Sequence, residues 1–231
     1  MDNILLLDTA TQVCSVVLLR EGTVASVYNS AEPNAHSSSL SLLIEKVFAD
    51  VAMDMRELDA VCVSSGPGSY TGLRIGVSSA KGICYALNIP LLSVPTLHSM
   101  AMLYYDTHPD YDGLICPMID ARRMECYTAI YGRDGMVRDT KAEIIESGMY
   151  DDLLSASKLM VIGDGAMKTK PILSPNGEVL YDDGFVVSAE GMAKEAVRKL
   201  HDKEFEDVAY FVPFYLKDFV AKRSEVHGLR K

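Results

Sequence analysis

An aspartate that ends an apolar strand and is followed by small hydroxyl residues can hold the water shell of a magnesium ion. The neighbouring N–H groups and hydroxyls then face a phosphate. Asp8-Thr9-Ala10-Thr11, at the end of the apolar run Ile4–Leu7, has that form. It lacks the central glycine that would let a phosphate approach the backbone closely, so an aspartate that caps a tight turn reads equally well. A second candidate is the loop Gly66-Pro67-Gly68-Ser69-Tyr70-Thr71-Gly72. Such a loop could present N–H groups to an anion at a helix N-terminus. No Gly-Lys-Ser/Thr follows, so it is not a Walker A loop, and Tyr70-Thr71 push its third glycine one place beyond G-x-G-x-x-G. The sequence favours a tight turn packed on neighbouring backbone. Gly163-Asp164-Gly165 is a faint echo of a nucleotide-binding glycine turn.

Hydrolysis needs a nucleophile with its base, or a metal cluster. The five histidines are His36, His98, His108, His201 and His227, and no two stand at i, i+3 or i, i+4. Thr96 and Met100, on either side of His98, are poor ligands for a hard or borderline metal. There is no G-x-S-x-G elbow. The expectation is no catalytic residue and no metal site. The five cysteines (Cys14, Cys62, Cys84, Cys116 and Cys126) are odd in number and contain no C-x-x-C. That pattern suits free thiols in a reducing, cytoplasmic setting.

Around these residues the chain reads as a strand, Ile4–Leu7, then a hairpin, Cys14–Arg20 and Val24–Asn29, turning at Glu21-Gly22. A helix follows over 38–51 after the Ser37-Ser38-Ser39 cluster, with Leu40, Leu43, Ile44, Val47 and Phe48 on one face. Then come a strand at Ala60–Ser65, a helix over Thr71–Leu87, a strand at Leu91–Val94 and a helix at Thr96–Tyr105. The order βββαβαβα implies an α/β layer structure with a mixed sheet. The second half restarts the pattern. Ile115–Ile119 ends in Asp120, and Cys126–Tyr131 turns at Arg133-Asp134-Gly135. Asp8 and Asp120 lie 112 positions apart, and each precedes a cysteine by six. Two related lobes, 1–106 and 107–231, are the expectation, with the coincidence of two common hairpins as the alternative.

The 71–87 helix carries Gly72, Gly76 and Gly82. An interior glycine costs about 1 kcal/mol relative to alanine, so something should press close against it. Packing on the chain's own sheet would explain this. A partner helix is the sharper reading, with Gly72, Leu73, Gly76, Val77 and Ala80 meeting it alongside Leu40, Leu43, Ile44 and Val47. On that reading Gly76→Leu breaks association and leaves the monomer folded. Arg74, in the first helical turn where a cation is disfavoured, should have an acidic partner, inside the chain or outside it.

The chain has 231 residues, 48% of them hydrophobic and 23% charged, enough for a sizeable core without staples. The net charge of −10 makes it a poor solitary binder of DNA or RNA. No apolar run approaches the length of a membrane span, and Met-Asp-Asn is no secretory signal. From Lys217 to Lys231 the charge is +3, either a solvated end or an interaction arm.

At Ile4–Val17 and Ser64–Gly82 the sequence resembles the bacterial TsaB family, formerly YeaZ, the tRNA threonylcarbamoyladenosine biosynthesis proteins B. Ile119-Asp120-Ala121-Arg122 with Glu125 and Tyr127, and Val212-Pro213-Phe214-Tyr215-Leu216-Lys217, fit as well, so the likeness spans residues 4 to about 217. The resemblance implies an actin-like ATPase-type fold of two related lobes, the second reduced. It implies a non-catalytic partner of a TsaD-type subunit and a TsaE-type ATPase, which reaches tRNA only through the complex and forms a homodimer when the partner is absent. A nucleotide could sit at the subunit contact, with none bound tightly by this chain. The catalytic relative carries a His-x-x-x-His pair that would fall near Thr96 and Met100 here. Asp8, Thr9, Gly66, Gly68, Ser69, Thr71 and Asp120 would line a vestigial inter-lobe cleft, and Asp8→Ala should then leave the fold intact. The alternatives are a peptidase-like hydrolase, which needs a nucleophile–base pair or a metal, and a small-molecule kinase of the same fold, which would bind and turn over ATP.

Overall fold

The computed structural model describes residues 2–31, 36–174 and 178–217. His227 and the basic tail beyond Lys217 lie outside the described residues.

The first lobe opens with β1 (Ile4–Asp8), β2 (Cys14–Arg20) and β3 (Thr23–Ser30). Then come α1 (His36–Val51), β4 (Ala60–Ser64), α2 (Tyr70–Leu87), β5 (Leu91–Val94) and α3 (Thr96–Thr107). Every residue of β1 is buried, as in a central strand covered on both faces. It pairs antiparallel with β2 and parallel with β4. The sheet order is β3-β2-β1-β4-β5. Alternation decides which core each side chain joins. Leu5 and Leu7 meet α1 and α2, whereas Ile4 and Leu6 face Ala189, Met192 and Ala196.

The second lobe repeats this plan. Strands β6 (Leu114–Asp120), β7 (Glu125–Gly132) and β8 (Gly135–Ile144) precede α4 (Asp151–Leu154), β9 (Leu159–Ile162), α5 (Ala166–Leu173), β10 (Leu180–Tyr181) and α6 (Ala193–Asp202). The sheet order is β10-β9-β6-β7-β8, the same arrangement with each strand in the place of its counterpart. The reduction falls on the helices: α4 and α5 have 4 and 8 residues where α1 and α2 have 16 and 18.

The strands of the first sheet end at Val94 and those of the second begin at Leu114, but the packing crosses that division. Helix α3 packs through Leu97, Met100, Ala101 and Tyr105 on Ile115 and Ile119 of the second sheet. In return, residues 189–200 cover the first sheet. Segment 206–214 then runs back over the first lobe, where Glu206 N–H donates to Leu91 O and Phe214 N–H to Ser65 O.

One expectation is corrected here. Leu40, Leu43, Ile44, Val47, Val77 and Ala80 are all buried in the first lobe's own core, and Leu73 is fully buried too. The apolar stripe that sequence spacing assigned to a partner is the stripe that holds α1 and α2 to their own sheet.

Candidate functional site

The ends of β1 and β6 are where the fold gathers polar side chains. Asp8 is fully buried, and its Oδ1 accepts from Ala10 N–H and Ser64 Oγ–H, both at 2.9 Å. The aspartate caps its own turn. Its charge, second to burial, helps push the Cys14 thiol up to about 11.

The glycine loop closes on that turn. Ser69 N–H donates to Ala10 O at 2.6 Å, and Thr9 Oγ1–H donates to Gly72 O at 2.7 Å. A Cβ on Gly68 would lie 2.3 Å from Ala10 O. One on Gly72 would lie 2.0 Å from Thr9 O, and one on Gly76 2.4 Å from Thr9 Oγ1. The glycines therefore admit the chain's own β1–β2 turn, and the space a phosphate would take between loop and turn is filled by backbone. Gly66, at φ +104°, leaves room for Phe214 O. Its N–H donates to Thr96 Oγ1 at 3.1 Å. Ser69 caps α2, its Oγ accepting from Gly72 N–H, and Thr71 is exposed. Thr96 and Met100, where the catalytic relative's histidines would fall, are both buried. Met100 packs under Gly163.

The second lobe builds the same turn and leaves it open. Asp120 is exposed, and its Oδ1 accepts from Arg122 N–H at 2.7 Å, again two residues on. The Asp120 N–H donates to Asp164 Oδ1 at 3.0 Å. Gly163, at φ +99°, and Gly165 fit against the end of β6, where a Cβ would meet Met118 O at 2.4 Å and Ile119 C at 3.0 Å. The Gly-Asp-Gly echo is thus the counterpart of the first lobe's glycine loop. Here a lysine takes the centre: Lys168 Nζ donates to Asp120 Oδ1, to Arg123 O at 2.9 Å and to Glu125 O at 2.7 Å. Partial burial pulls the Asp120 carboxyl up, but the Lys168 ammonium and the Arg122 N–H outweigh it and hold it below the ordinary range. Burial pushes the neighbouring Asp164 carboxyl the other way, against the donated Asp120 N–H. Curling round the ammonium puts Arg122 and Arg123 at φ +75° and +53°. Residues other than glycine lose roughly 1–2 kcal/mol each in that conformation. Arg122 stands in the motif Ile119-Asp120-Ala121-Arg122, but nothing in the sequence marked Lys168 or Arg123, because the clamp links positions more than 40 apart.

A third feature is the outer face of α2. Ser78, Gly82 and Ala86 are exposed and four apart, and nothing lies within 4 Å of where a Gly82 Cβ would be. Of the three glycines, this one has no explanation inside the chain. Tyr85 on α2 and Leu42 on α1 are exposed as well. The segment 205–217, which periodicity did not reveal, adds Tyr210, Val212, Phe214 and Tyr215. Tyr215 packs on Tyr70 with ring centroids 4.8 Å apart. Within the chain Arg74 lies over the Tyr70 ring and donates to its hydroxyl at 3.2 Å.

A cavity of about 460 Å³ lies between α3, α6 and the β7–β8 turn. His98 lines it, and burial lowers that imidazole's pKa. Its rim charges are spent in pairs, Lys194 with Asp106 and Arg198 with Glu195. Among the described residues no three of His, Cys, Asp and Glu gather as a metal site, and no helix is long and apolar enough to cross a membrane.

A family profile described as TsaD, tRNA N6-adenosine threonylcarbamoyltransferase, matches residues 30–210. The chain is 31% identical to the tRNA threonylcarbamoyladenosine biosynthesis protein TsaB of Bacillus subtilis, over 93% of both chains. Among solved structures it is similar to YeaZ from Pseudomonas aeruginosa, with a TM-score of 0.80 and 26% identity over 94% of this chain and all of that one. It also resembles the activator of the 2-hydroxyisocaproyl-CoA dehydratase from Clostridium difficile. That match has a TM-score of 0.51 and 11% identity over 89% of this chain and 98% of the other, a likeness of fold alone.

Proposed function

The chain belongs to the TsaB (YeaZ) family of tRNA threonylcarbamoyladenosine biosynthesis proteins, with an actin-like ATPase fold, and from that premise we propose that it is a non-catalytic scaffold of the threonylcarbamoyl transferase complex. It partners a TsaD-type subunit, with a TsaE-type ATPase, and meets tRNA only within that assembly. The observation that carries the reading is the closure of the first lobe's glycine loop on Thr9 and Ala10, which leaves no room for a phosphate. Thr96 and Met100, buried in the core, offer no substitute for a histidine pair. The five buried thiols, which burial makes poor nucleophiles, lend nothing to a peptidase reading.

The partner contact moves from the buried stripe to the outer faces of α1 and α2. Ser78, Gly82 and Ala86 form a ridge of small residues against which a second helix can approach closely. The exposed Leu42 of α1 and Tyr85 of α2 supply apolar area. The same face serves a homodimer when the partner is absent, and a nucleotide that acts in the complex sits at a subunit contact. The test is transfer of the threonylcarbamoyl group to tRNA by the isolated chain, by a TsaD-type subunit, and by the two with a TsaE-type ATPase. The reading expects co-elution of the subunits, no transfer by this chain alone, and stimulation on mixing. Transfer by the isolated chain would sink it.

A further inference from the structure

Helix α3 packs on the second sheet, and residues 189–200, with α6, cover the first. The cavity of about 460 Å³ sits where these two exchanged helices and the β7–β8 turn meet. That is an ordinary size for a small-molecule site, and a seam between lobes is an ordinary place for one. Its walls are held in place. Gly191 brings the turn Ala189–Met192 so close to α3 that a Cβ there would lie 2.1 Å from Ser99 O. Arg133 donates to Tyr111 O at 2.8 Å and lies over the Tyr105 ring, 4.9 Å from its centre. Those contacts tie the β7–β8 turn to the end of α3.

Three lining residues, His98, Met102 and Tyr105, stand four and three positions apart on one face of α3. Tyr105 is buried, and Met102 and His98 are half-buried. Of the three histidines whose side chains are described, His108 bonds Tyr104 O and His201 bonds Asp2. His98 meets the Tyr131 ring edge-on at 5.5 Å, but among the described residues it has no hydrogen bond. Burial lowers its pKa, which favours the neutral ring. A neutral imidazole carries one N–H donor and one acceptor nitrogen, and leaving them unbonded away from water costs free energy. The charges at the rim balance. Asp106, Asp134 and Glu195 stand with Arg133, Lys194 and Arg198, three of each sign. Lys194 pairs with Asp106, and Arg198 with Glu195. A charged guest would have to break such a pair or be buried without one; an uncharged guest would not.

We propose that this cavity binds an uncharged aromatic small molecule, whose N–H or hydroxyl bonds His98 while its ring packs on Met102 and Tyr105. Ring–ring and thioether–ring contacts favour such a guest over an aliphatic one of equal size. Bound there, it touches α3 of one lobe and α6 of the other, and braces their exchange. The site goes beyond the scaffold reading and does not depend on it.

The experiment titrates the full chain with indole, following the Met102 and Lys194 amides by NMR and the melting temperature. Indene has the same shape without the N–H, and indole-3-acetate and tryptamine add a negative and a positive charge. The expected result is saturation by indole with a Kd of about 1 mM or tighter, and a raised Tm. Affinity should be about tenfold lower for indene and for both charged compounds. His98→Phe keeps a ring in place and removes its nitrogens, so indole should fall to the affinity of indene. Met102→Trp should fill the space and abolish binding of both. If Met102→Trp melts early, the His98→Phe comparison decides alone. No saturable shift with indole would overturn the proposal. So would equal affinity for indole and indene, tighter binding of a charged compound, or indole binding unchanged by His98→Phe. No TsaD-type subunit enters these measurements, so their failure leaves the scaffold reading untouched.

Discussion

The same turn is built twice. Asp8 accepts from Ala10 N–H, and Asp120 accepts from Arg122 N–H. Each aspartate ends the central strand of a five-stranded sheet of the same order, and each has a glycine-bearing connection packed against it. What differs is the occupant of the turn. In the first lobe it is the chain's own backbone, pressed by Gly68, Gly72 and Gly76, and Asp8 is shut away from water. In the second it is a lysine ammonium, and Asp120 stays open to solvent. The duplication kept the frame and spent it differently: one turn became core, the other a braced surface. The first lobe's turn should therefore matter more to stability than the second's.

The contrast breaks most sharply at the glycines. Gly76→Leu places a side chain where a Cβ alone would come within 2.4 Å of Thr9 Oγ1. Overpacking normally costs about 1–3 kcal/mol, and with so little space the upper end or more is expected. The variant should melt early as a monomer. That reverses the expectation drawn from the sequence, in which the same substitution spared the fold. Normal melting of Gly76→Leu would show that the turn can move aside.

Next in size is the aspartate pair. Asp8→Ala strips the acceptor from Ala10 N–H and Ser64 Oγ–H in a buried site, which costs about 1–3 kcal/mol. The exposed Asp120→Ala should cost about 1 kcal/mol or less. Denaturant melts of the two variants check this directly, and equal losses would erase the distinction between the lobes. This too departs from the expectation that Asp8 is dispensable, because the residue is structural rather than idle.

Gly82 tests the outer face. Nothing lies in front of it, so Gly82→Leu should leave the monomer's melting unchanged or raise it by up to about 1 kcal/mol. Association should weaken by roughly 1–3 kcal/mol through overpacking at the ridge. Sedimentation with and without the partner reads this out. Association as tight as wild type would place the contact elsewhere.

These outcomes also mark what the sequence disclosed. The strands, their duplication and three helices were legible because alternation, 3.6-residue periodicity and the Glu21-Gly22 and Arg133-Asp134-Gly135 turns are local signals. The observed ends of β2 and β5 coincide with the reading, and α1 and α2 begin within two residues of it. Which surface an apolar stripe meets is not a local property. Leu43 or Val47 looks the same whether it faces its own sheet or a partner, and a glycine records close approach without saying by what. The exchange of α3 and residues 189–202 between lobes, and the Lys168 clamp, depend on contacts far apart in sequence and left no pattern to read.

The smallest effect expected is in acid, where the two carboxylates of the open turn oppose each other. Asp120 has its folded pKa held below the unfolded value, chiefly by Lys168 against the pull of burial. Its contribution to stability is present above the unfolded pKa and is lost as the pH falls through the folded one. Asp164 is raised by burial, so its linkage has the opposite sign: its contribution is fully present below the unfolded pKa and is lost as the pH rises through the raised folded one. The two act on opposite sides of the ordinary aspartate value: as the pH falls, Asp164 adds stability above it and Asp120 loses stability below it, so the acid limb of the wild-type chain should rise before it falls. Asp164→Asn removes one side, and stability should then fall more steeply with acid, by no more than the roughly 0–1 kcal/mol of an exposed pair. Asp120→Asn should do the reverse, flattening or inverting the limb. Thermal melts at half-unit pH steps would resolve the three curves. If both variants track the wild type, neither carboxylate is coupled to folding, and the lysine braces the turn through the Arg123 and Glu125 carbonyls alone.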